Sequence, residues 1–448
     1  MNLSALGSLL EEAPQYGQLR KSLDRSHASA KVQVLSDAAP FTLATLWRGM
    51  AAPTLVITPR LDDARRLHEQ LAIWSGQEDA VLHFPESETL PFERLVSDVD
   101  TTHRRLRTLS ALTEANGVAP IVVASAAAIT QKTIHRENFA PSSYTLNVKQ
   151  QITLDVLLDR WRRLGYQFES EVYAPGLASR RGGIVDIYPV GSPLPARIEL
   201  WGNDIDSIRL FDPLTQRSRE MVESIKIGPA QETLPALTPR DHLDKLMGRI
   251  DLSNCSEATS QRILDELNRL LDGYEVEDLE FYSGLFNQGS LLDYFPQDGL
   301  VVMYRPSEIS EAAWETEQRT HELRAVKERR GELPRLFPSS HFLWNEVEER
   351  AAAIARRLDI VPWGADELTH RDVHILPFTS TPTFLGKLDS FVEEADAAAR
   401  EGHRVVAVTS HARRLGEIFA DHGVRAELPE SVDEPPDAGS ITVLQSKS

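Results

Sequence analysis

One stretch, Leu177–Thr215 (LASRRGGIVDIYPVGSPLPARIELWGNDIDSIRLFDPLT), gathers side chains able to bind something. Arg180 and Arg181 precede two glycines and a strand pattern. In GIVDIYP, Ile184, Asp186 and Tyr188 alternate with Val185 and Ile187, so one face is apolar and the other offers a carboxylate and an aromatic ring. Arg197 and Glu199 share a face of the next strand. Three readings fit: a two-sided sheet with exposed polar residues, a protein-docking face, or a DNA-phosphate contact. Arginines beside a tyrosine have the make-up of a protein-interface centre. The phosphate reading is weakened by the balancing acids, since residues 145–228 hold 11 Lys+Arg and 11 Asp+Glu.

A second stretch has the frame of a nucleotide site without its chemistry. The strand pattern KVQVLS runs through Asp37, Ala38, Ala39, Pro40, Phe41, Thr42 and Leu43 into a helical pattern. A P-loop needs GxxxxGK[ST] there, with backbone N–H groups around the phosphates and a lysine to neutralise them. No lysine occurs from Val32 to Gln131, and Gly386-Lys387 is followed by Leu388 without the upstream glycine. Asp265-Glu266 falls within a helical pattern and Asp366-Glu367 follows Gly364-Ala365, so neither pair reads as a magnesium-binding carboxylate at a strand end. Without lysine and metal the charge on a transferring phosphoryl group is unscreened. His370 and His374 lie four apart in a loop-and-strand pattern with no third ligand. Cys255 stands alone in SNCSEAT, and no GxSxG is present. These patterns point to no metal site and no catalytic residue.

The elements that must hold these stretches alternate strand and helix up to residue 143. Thr54–Pro59 and Ala80–Pro85 are apolar strand runs, Ala119–Ile129 is a strand entering a helix, and Leu61–Trp74 has apolar residues at helical spacing. This predicts a parallel sheet covered on both faces. From residue 144 the pattern changes to an amphipathic helix (Leu154–Tyr166) followed by strands FESEVYAPG, GGIVDIYPV, ARIELWGNDIDSIRLFDP and EMVESIKIGPA. Their turns are marked by Gly182-Gly183, Gly191-Ser192-Pro193 and Gly202-Asn203. An inserted α+β module with an antiparallel sheet and one solvated face is expected over 144–228. Helices resume to about residue 360. A small α/β unit then follows over 361–448, with strands HRVVAVTS, VRAEL and SITVLQ.

Length and composition set the class. The 448 residues call for several domains, and 41% hydrophobic with 26% charged residues is globular. A single cysteine excludes an internal disulfide framework and suits a reducing cytoplasm. No apolar run approaches the roughly 20 residues of a membrane span, and MNLSALGSLLEEAP does not read as a signal peptide. The net charge of −19 argues against non-specific wrapping of nucleic acid. The chain ends four residues after ITVL, as a fragment of something longer would.

The ordered run of FPESETLPFERLVSDVDTTHRRLRTLSAL, YAPGLASRRGGIVDIYPVGSPLPARIELWGNDIDSIRLFDPLTQRS, LFNQGSLLDYFPQDGLVVMYRP and the helix leading to FLW resembles the N-terminal part of the bacterial transcription-repair coupling factors. That part is itself similar to the damage-recognition protein UvrB. The resemblance implies a degenerate helicase-like α/β domain (1–143 and 229–360), split by a UvrA-binding module (144–228) and followed by the small domain (361–448). The corresponding turn binds ATP in UvrB and has degenerated in the family, as Asp37–Leu43 has here. The stretch after FPESETLPFE, where UvrB carries a long aromatic hairpin, is short here, and Phe92 alone does not stand for that hairpin.

The resemblance further implies a non-catalytic, cytoplasmic module. It would recruit UvrA to RNA polymerase stalled at DNA damage, for nucleotide excision repair, and would be autoinhibitory through contact with the far C-terminal domain. Its UvrA face would comprise Arg181, Gly183, Asp186 and Tyr188, with Arg197 and Glu199 nearby. Many relatives have an arginine where Gln167 stands, a loss for which Arg180 would compensate. RNA polymerase and DNA binding, ATP and magnesium belong to parts of the family absent here. The alternative is a UvrB-like DNA-dependent ATPase.

Overall fold

The computed structural model describes residues 2–446 except 26–27, 88–89, 95–97, 115–116, 275, 364–372 and 385. Asp366-Glu367 and His370 therefore lie outside the described residues. Strands in chain order are β1 (Ala28–Gln33), β2 (Thr54–Thr58), β3 (Val81–Phe84), β4 (Ile121–Ser125), β5 (Tyr144–Asn147), β6 (Gln167–Phe168), β7 (Leu177–Arg181), β8 (Ile184–Ile187) and β9 (Ala196–Trp201). They continue with β10 (Asp204–Phe211), β11 (Ser218–Val222), β12 (Ser224–Ile227), β13 (Leu300–Tyr304), β14 (Arg356–Val361), β15 (Val373–Ile375), β16 (Val405–Thr409) and β17 (Ile441–Gln445).

The short runs TLVIT, VLHF and IVVAS are buried along their whole length, as strands of a sheet covered on both sides must be. They belong to a seven-stranded parallel sheet of order β15-β1-β14-β13-β2-β4-β3. Strands from either side of residues 144–228 interleave in it: β13 and β14 lie between β1 and β2. The frame therefore closes only after the chain has returned from the insert. Helices Ala39–Met50 and Leu61–Ser75 cover one face of this sheet through Leu43, Leu46, Trp47, Ala64, Leu67 and Leu71. The second helix ends at Gly76, whose φ of 68° an L side chain rarely adopts. Helices Val99–Thr113 and Pro306–Arg329 cover the other face.

The insert closes on itself. Its entry strand β5 pairs antiparallel with its exit strand β12, Tyr144 opposite Ile227 and Asn147 opposite Ser224. Between them runs a six-stranded sheet of order β11-β10-β9-β8-β7-β6. It is antiparallel except at its edge, where β6 joins β7 in parallel; of the expected strand FESEVYAPG only Phe168 enters the sheet, with Gln167 before it. Helix Leu154–Arg163 lays Leu157, Leu158 and Trp161 on Val185, Ile187, Ile198, Ile205 and Ile208. Trp161 Nε1 donates to the Tyr144 hydroxyl at 2.9 Å, tying the helix to the entry strand.

A buried ion pair fixes the segment that leaves the insert to the frame. Arg105, on helix Val99–Thr113, donates twice to the carboxylate of Glu232 just past β12 (2.7 and 2.8 Å), and also to the Pro85 carbonyl and Gln131. The C-terminal unit pairs β16 with β17 in parallel, flanked by helices Leu388–Arg400 and Ala412–Asp421. VRAEL contributes only an isolated bridge, Glu427 to Thr442, because its backbone meets β17 at one point.

Candidate functional site

The turn after β1 has its own groups filled from within. Backbone N–H groups of Ala38 and Ala39 both donate to the Leu35 carbonyl (2.9 and 3.1 Å), and Thr42 Oγ1 donates to the Ala38 carbonyl at 2.9 Å. Ala39, Pro40, Thr42 and Leu43 are buried, and Asp37 is exposed. Pro40 sits in the first helical turn, where it contributes no N–H. The Phe41 ring packs 4.9 Å from Trp74 and 6.3 Å from Phe378. At the same C-terminal edge of the sheet, Arg305 is held between Asp63 (2.6 Å) and Glu308 (2.9 Å). Two of the turn's backbone donors thus serve the chain itself.

Among the described residues no group of three His, Cys, Asp or Glu is arranged to hold a metal ion. His374 lies 3.0 Å from the Ser22 hydroxyl. Burial, together with Asp251, pushes the Cys255 thiol up, away from thiolate character.

The six-stranded sheet has an outer face, turned away from helix Leu154–Arg163, and the register orders it into three rungs. The first runs Ser207, Glu199, Ile184, Arg181; the second runs Met221, Arg209, Arg197, Asp186, Ser179. The third joins Phe211, Leu177 and Gln167 near Tyr188. Arg180 pairs with Val185, so it projects from the opposite face, away from Arg181. The loop after β6 folds across the β7 end of the outer face. Val172 packs there on Leu177 and Phe211, and the Ser170 carbonyl accepts from Ser179 Oγ (3.1 Å) and Arg181 Nη2 (2.9 Å). The expected solvated face is therefore solvated only in part.

The middle rung is an internal ion pair. Arg197 donates from Nε and Nη2 to the two Asp186 oxygens, both at 2.8 Å, and stacks 4.8 Å over the Phe211 ring. Only 5% of the Asp186 side chain is exposed. Hydrogen bonding to Asp186 raises the Arg197 pKa further. Beside it, Glu199 accepts from Ser207 Oγ and Arg209 Nη2, each at 3.1 Å. Tyr188 donates to the Pro193 carbonyl at 3.0 Å, and burial raises its hydroxyl pKa.

Arg181, by contrast, has 55% of its side chain exposed and a long 3.7 Å approach to Glu171 as its ion pair. Gly183 sits in the turn, where a Cβ would come within 3.1 Å of the Leu200 carbonyl oxygen. The exposed Gln167 carries its side chain on the Arg181 face. Sequence reasoning passed over Trp201, although the alternation Arg197, Glu199, Trp201 already assigns it to this face.

A parallel α/β frame interrupted by a self-closed module, with a polar and aromatic sheet face, is a UvrB-like arrangement. Residues 144–232 match the family model described as the UvrB interaction domain. The chain is 35% identical over 272 residues to the transcription-repair-coupling factor of Bacillus subtilis (strain 168), covering 58% of this chain and 23% of that protein. It is 27% identical over 413 residues to the factor of Escherichia coli (strain K12), covering 88% and 34%. To that of Myxococcus xanthus it is 28% identical over 319 residues, covering 68% and 26%. The matched stretch thus spans between 23% and 34% of the length of these three relatives. These matches bear out the resemblance to the N-terminal, UvrB-homology part of the transcription-repair coupling factors.

Proposed function

We propose that this chain is a non-catalytic recruitment module that binds UvrA through the outer face of the residue 144–228 sheet. In the longer protein it would bring UvrA to RNA polymerase stalled at DNA damage. The observation that carries the reading is a contrast of two surfaces. The nucleotide turn is occupied by its own backbone and by Phe41, whereas Arg181 stands exposed on a rigid, internally braced sheet. The match of residues 144–232 to the UvrB interaction domain supports the same partner.

In this reading no nucleotide or metal serves the chain. RNA polymerase and DNA are engaged by other parts of the longer protein, in the bacterial cytoplasm. The outer face is covered by the far C-terminal domain until the protein is activated. Titration of purified UvrA with the native chain and with Arg181→Ala tests the central step. An exposed arginine at an interface centre is worth about 2 kcal/mol, so the variant binds about 30-fold more weakly. Equal binding by both removes Arg181 from the site.

A further inference from the structure

A parallel pair of strands cannot be closed by a hairpin, so the chain must travel back across a face of the sheet to begin the second strand. β6 and β7 are such a pair, and residues 169–176 make the return with no helix between them. The return crosses the outer face as a strap. Val172, fully buried, seats on Leu177 and Phe211, whereas the exposed Glu171 stands 3.7 Å from Arg181.

Hydrogen bonds fasten the strap from two sides. On the floor of the face, Ser179 Oγ donates to the Ser170 carbonyl at 3.1 Å, which fixes where that oxygen lies. From the turn between β10 and β11, Gln216 Nε2 donates to the Val172 carbonyl (3.1 Å) and to the Pro213 carbonyl (2.8 Å). Both neighbours are carbonyl oxygens, so only the NH2 end of the amide can face them, and Oε1 is buried without a partner. Gln216 also holds a φ of 58°, left-handed backbone that a non-glycine residue rarely takes. A glutamine kept in a strained turn for its two N–H groups marks a clasp rather than a surface side chain. The strap in turn directs Arg181. Arg181 Nη2 donates to the same Ser170 carbonyl at 2.9 Å, and its guanidinium makes no other hydrogen bond among the described residues. The head is thus aimed while most of its five donors stay free for a partner.

We propose that Gln216 and Val172 are positioning residues for the UvrA contact: they hold the strap whose Ser170 carbonyl aims the Arg181 guanidinium before UvrA arrives. This rests on the UvrA reading above, and it gives the strap a part in affinity that acts through Arg181. The gain is entropic. Freezing a rotamer-rich side chain on binding weakens association by about two- to twelvefold, and the strap imposes that order during folding instead.

The test is a double-mutant cycle in UvrA titrations of the whole chain: native, Gln216→Ala, Arg181→Ala and the two combined, with thermal melting of each. Gln216→Ala is expected to bind UvrA about fivefold more weakly than native. Added to Arg181→Ala, it is expected to change affinity by less than about 1.5-fold, because the strap then has nothing left to aim. A merely structural loss would lower affinity alike in both backgrounds. Val172→Ala, which loosens the strap from beneath, is expected to repeat the pattern and carries the test if Gln216→Ala does not fold. Native affinity in Gln216→Ala, or an equal loss with and without Arg181, overturns the proposal and leaves the UvrA reading intact. Tighter binding by Gln216→Ala makes the strap a cover that UvrA must lift and overturns the proposal as well. Failure of the native chain to bind overturns both readings.

Discussion

Replacing Arg197 by alanine removes the cation from a carboxylate that has nowhere else to turn. Asp186 lies on β8 with its side chain 5% exposed and both oxygens bonded to one guanidinium. Removing one partner of such a buried pair costs about 3–5 kcal/mol, because the other charge stays buried and uncompensated. The low end applies here, since 21% of the Arg197 side chain reaches solvent and water can enter from that side. About 3 kcal/mol corresponds to about two decades in an opening equilibrium. The assay is native-state hydrogen exchange at the β8 and β9 amides, which reports the module without requiring the whole chain to unfold in two states. Arg197→Ala is expected to speed their exchange about a hundredfold, and Arg181→Ala to leave it within about twofold. The double substitution Asp186→Leu with Arg197→Leu should recover most of the loss, because it leaves no buried charge. Exchange in Arg197→Ala within threefold of native would refute the role of this pair as an internal strut. The division between bracing and binding side chains would fall with it.

Magnesium-ATP is expected to leave the melting temperature of the chain unchanged; a rise of several degrees would show a ligand held by the folded state. Phe41→Ala should lower stability by about 2 kcal/mol in denaturant melts, a partly buried ring being lost from Trp74 and Phe378, without creating nucleotide binding. Burial, with the Glu232 carboxylate beside it, pushes the Glu280 carboxyl from 4.5 up to about 7. The folded chain therefore holds an extra proton between those pH values, so stability falls as pH rises through that window and stays lower above it. Glu280→Gln should flatten that slope and raise stability at pH 8 by up to about 3 kcal/mol, read from melts at pH 5 and pH 8. Gln167→Arg, which adds a cation to the edge of the Arg181 face, should tighten UvrA binding by about fivefold in the same titration that measures Arg181→Ala.

The frame and the insert were legible because their signals are local. TLVIT and IVVAS are uninterrupted apolar runs, and Gly182-Gly183 and Gly202-Asn203 fall at the observed turns. The alternation of GIVDIYP put Val185 and Ile187 inward and Asp186 outward, as found. What escaped depends on register between distant segments. Arg180 and Arg181 are neighbours in sequence but sit on opposite faces, and Arg180 opposes Val185. Asp186 looks available for docking until the length of the Tyr188–Pro195 connection sets it opposite Arg197. The parallel addition of β6, the loop that covers Ser179, and the Arg105–Glu232 latch between residues 127 apart leave no mark within a short window.

The most direct test of the account is deuterium exchange of the whole chain with and without UvrA. Protection confined to the tips and outer face of the inserted sheet, at residues 181–184 and 199–203, is the predicted result. Protection at residues 36–44, or none on the inserted sheet at saturating UvrA, would contradict it.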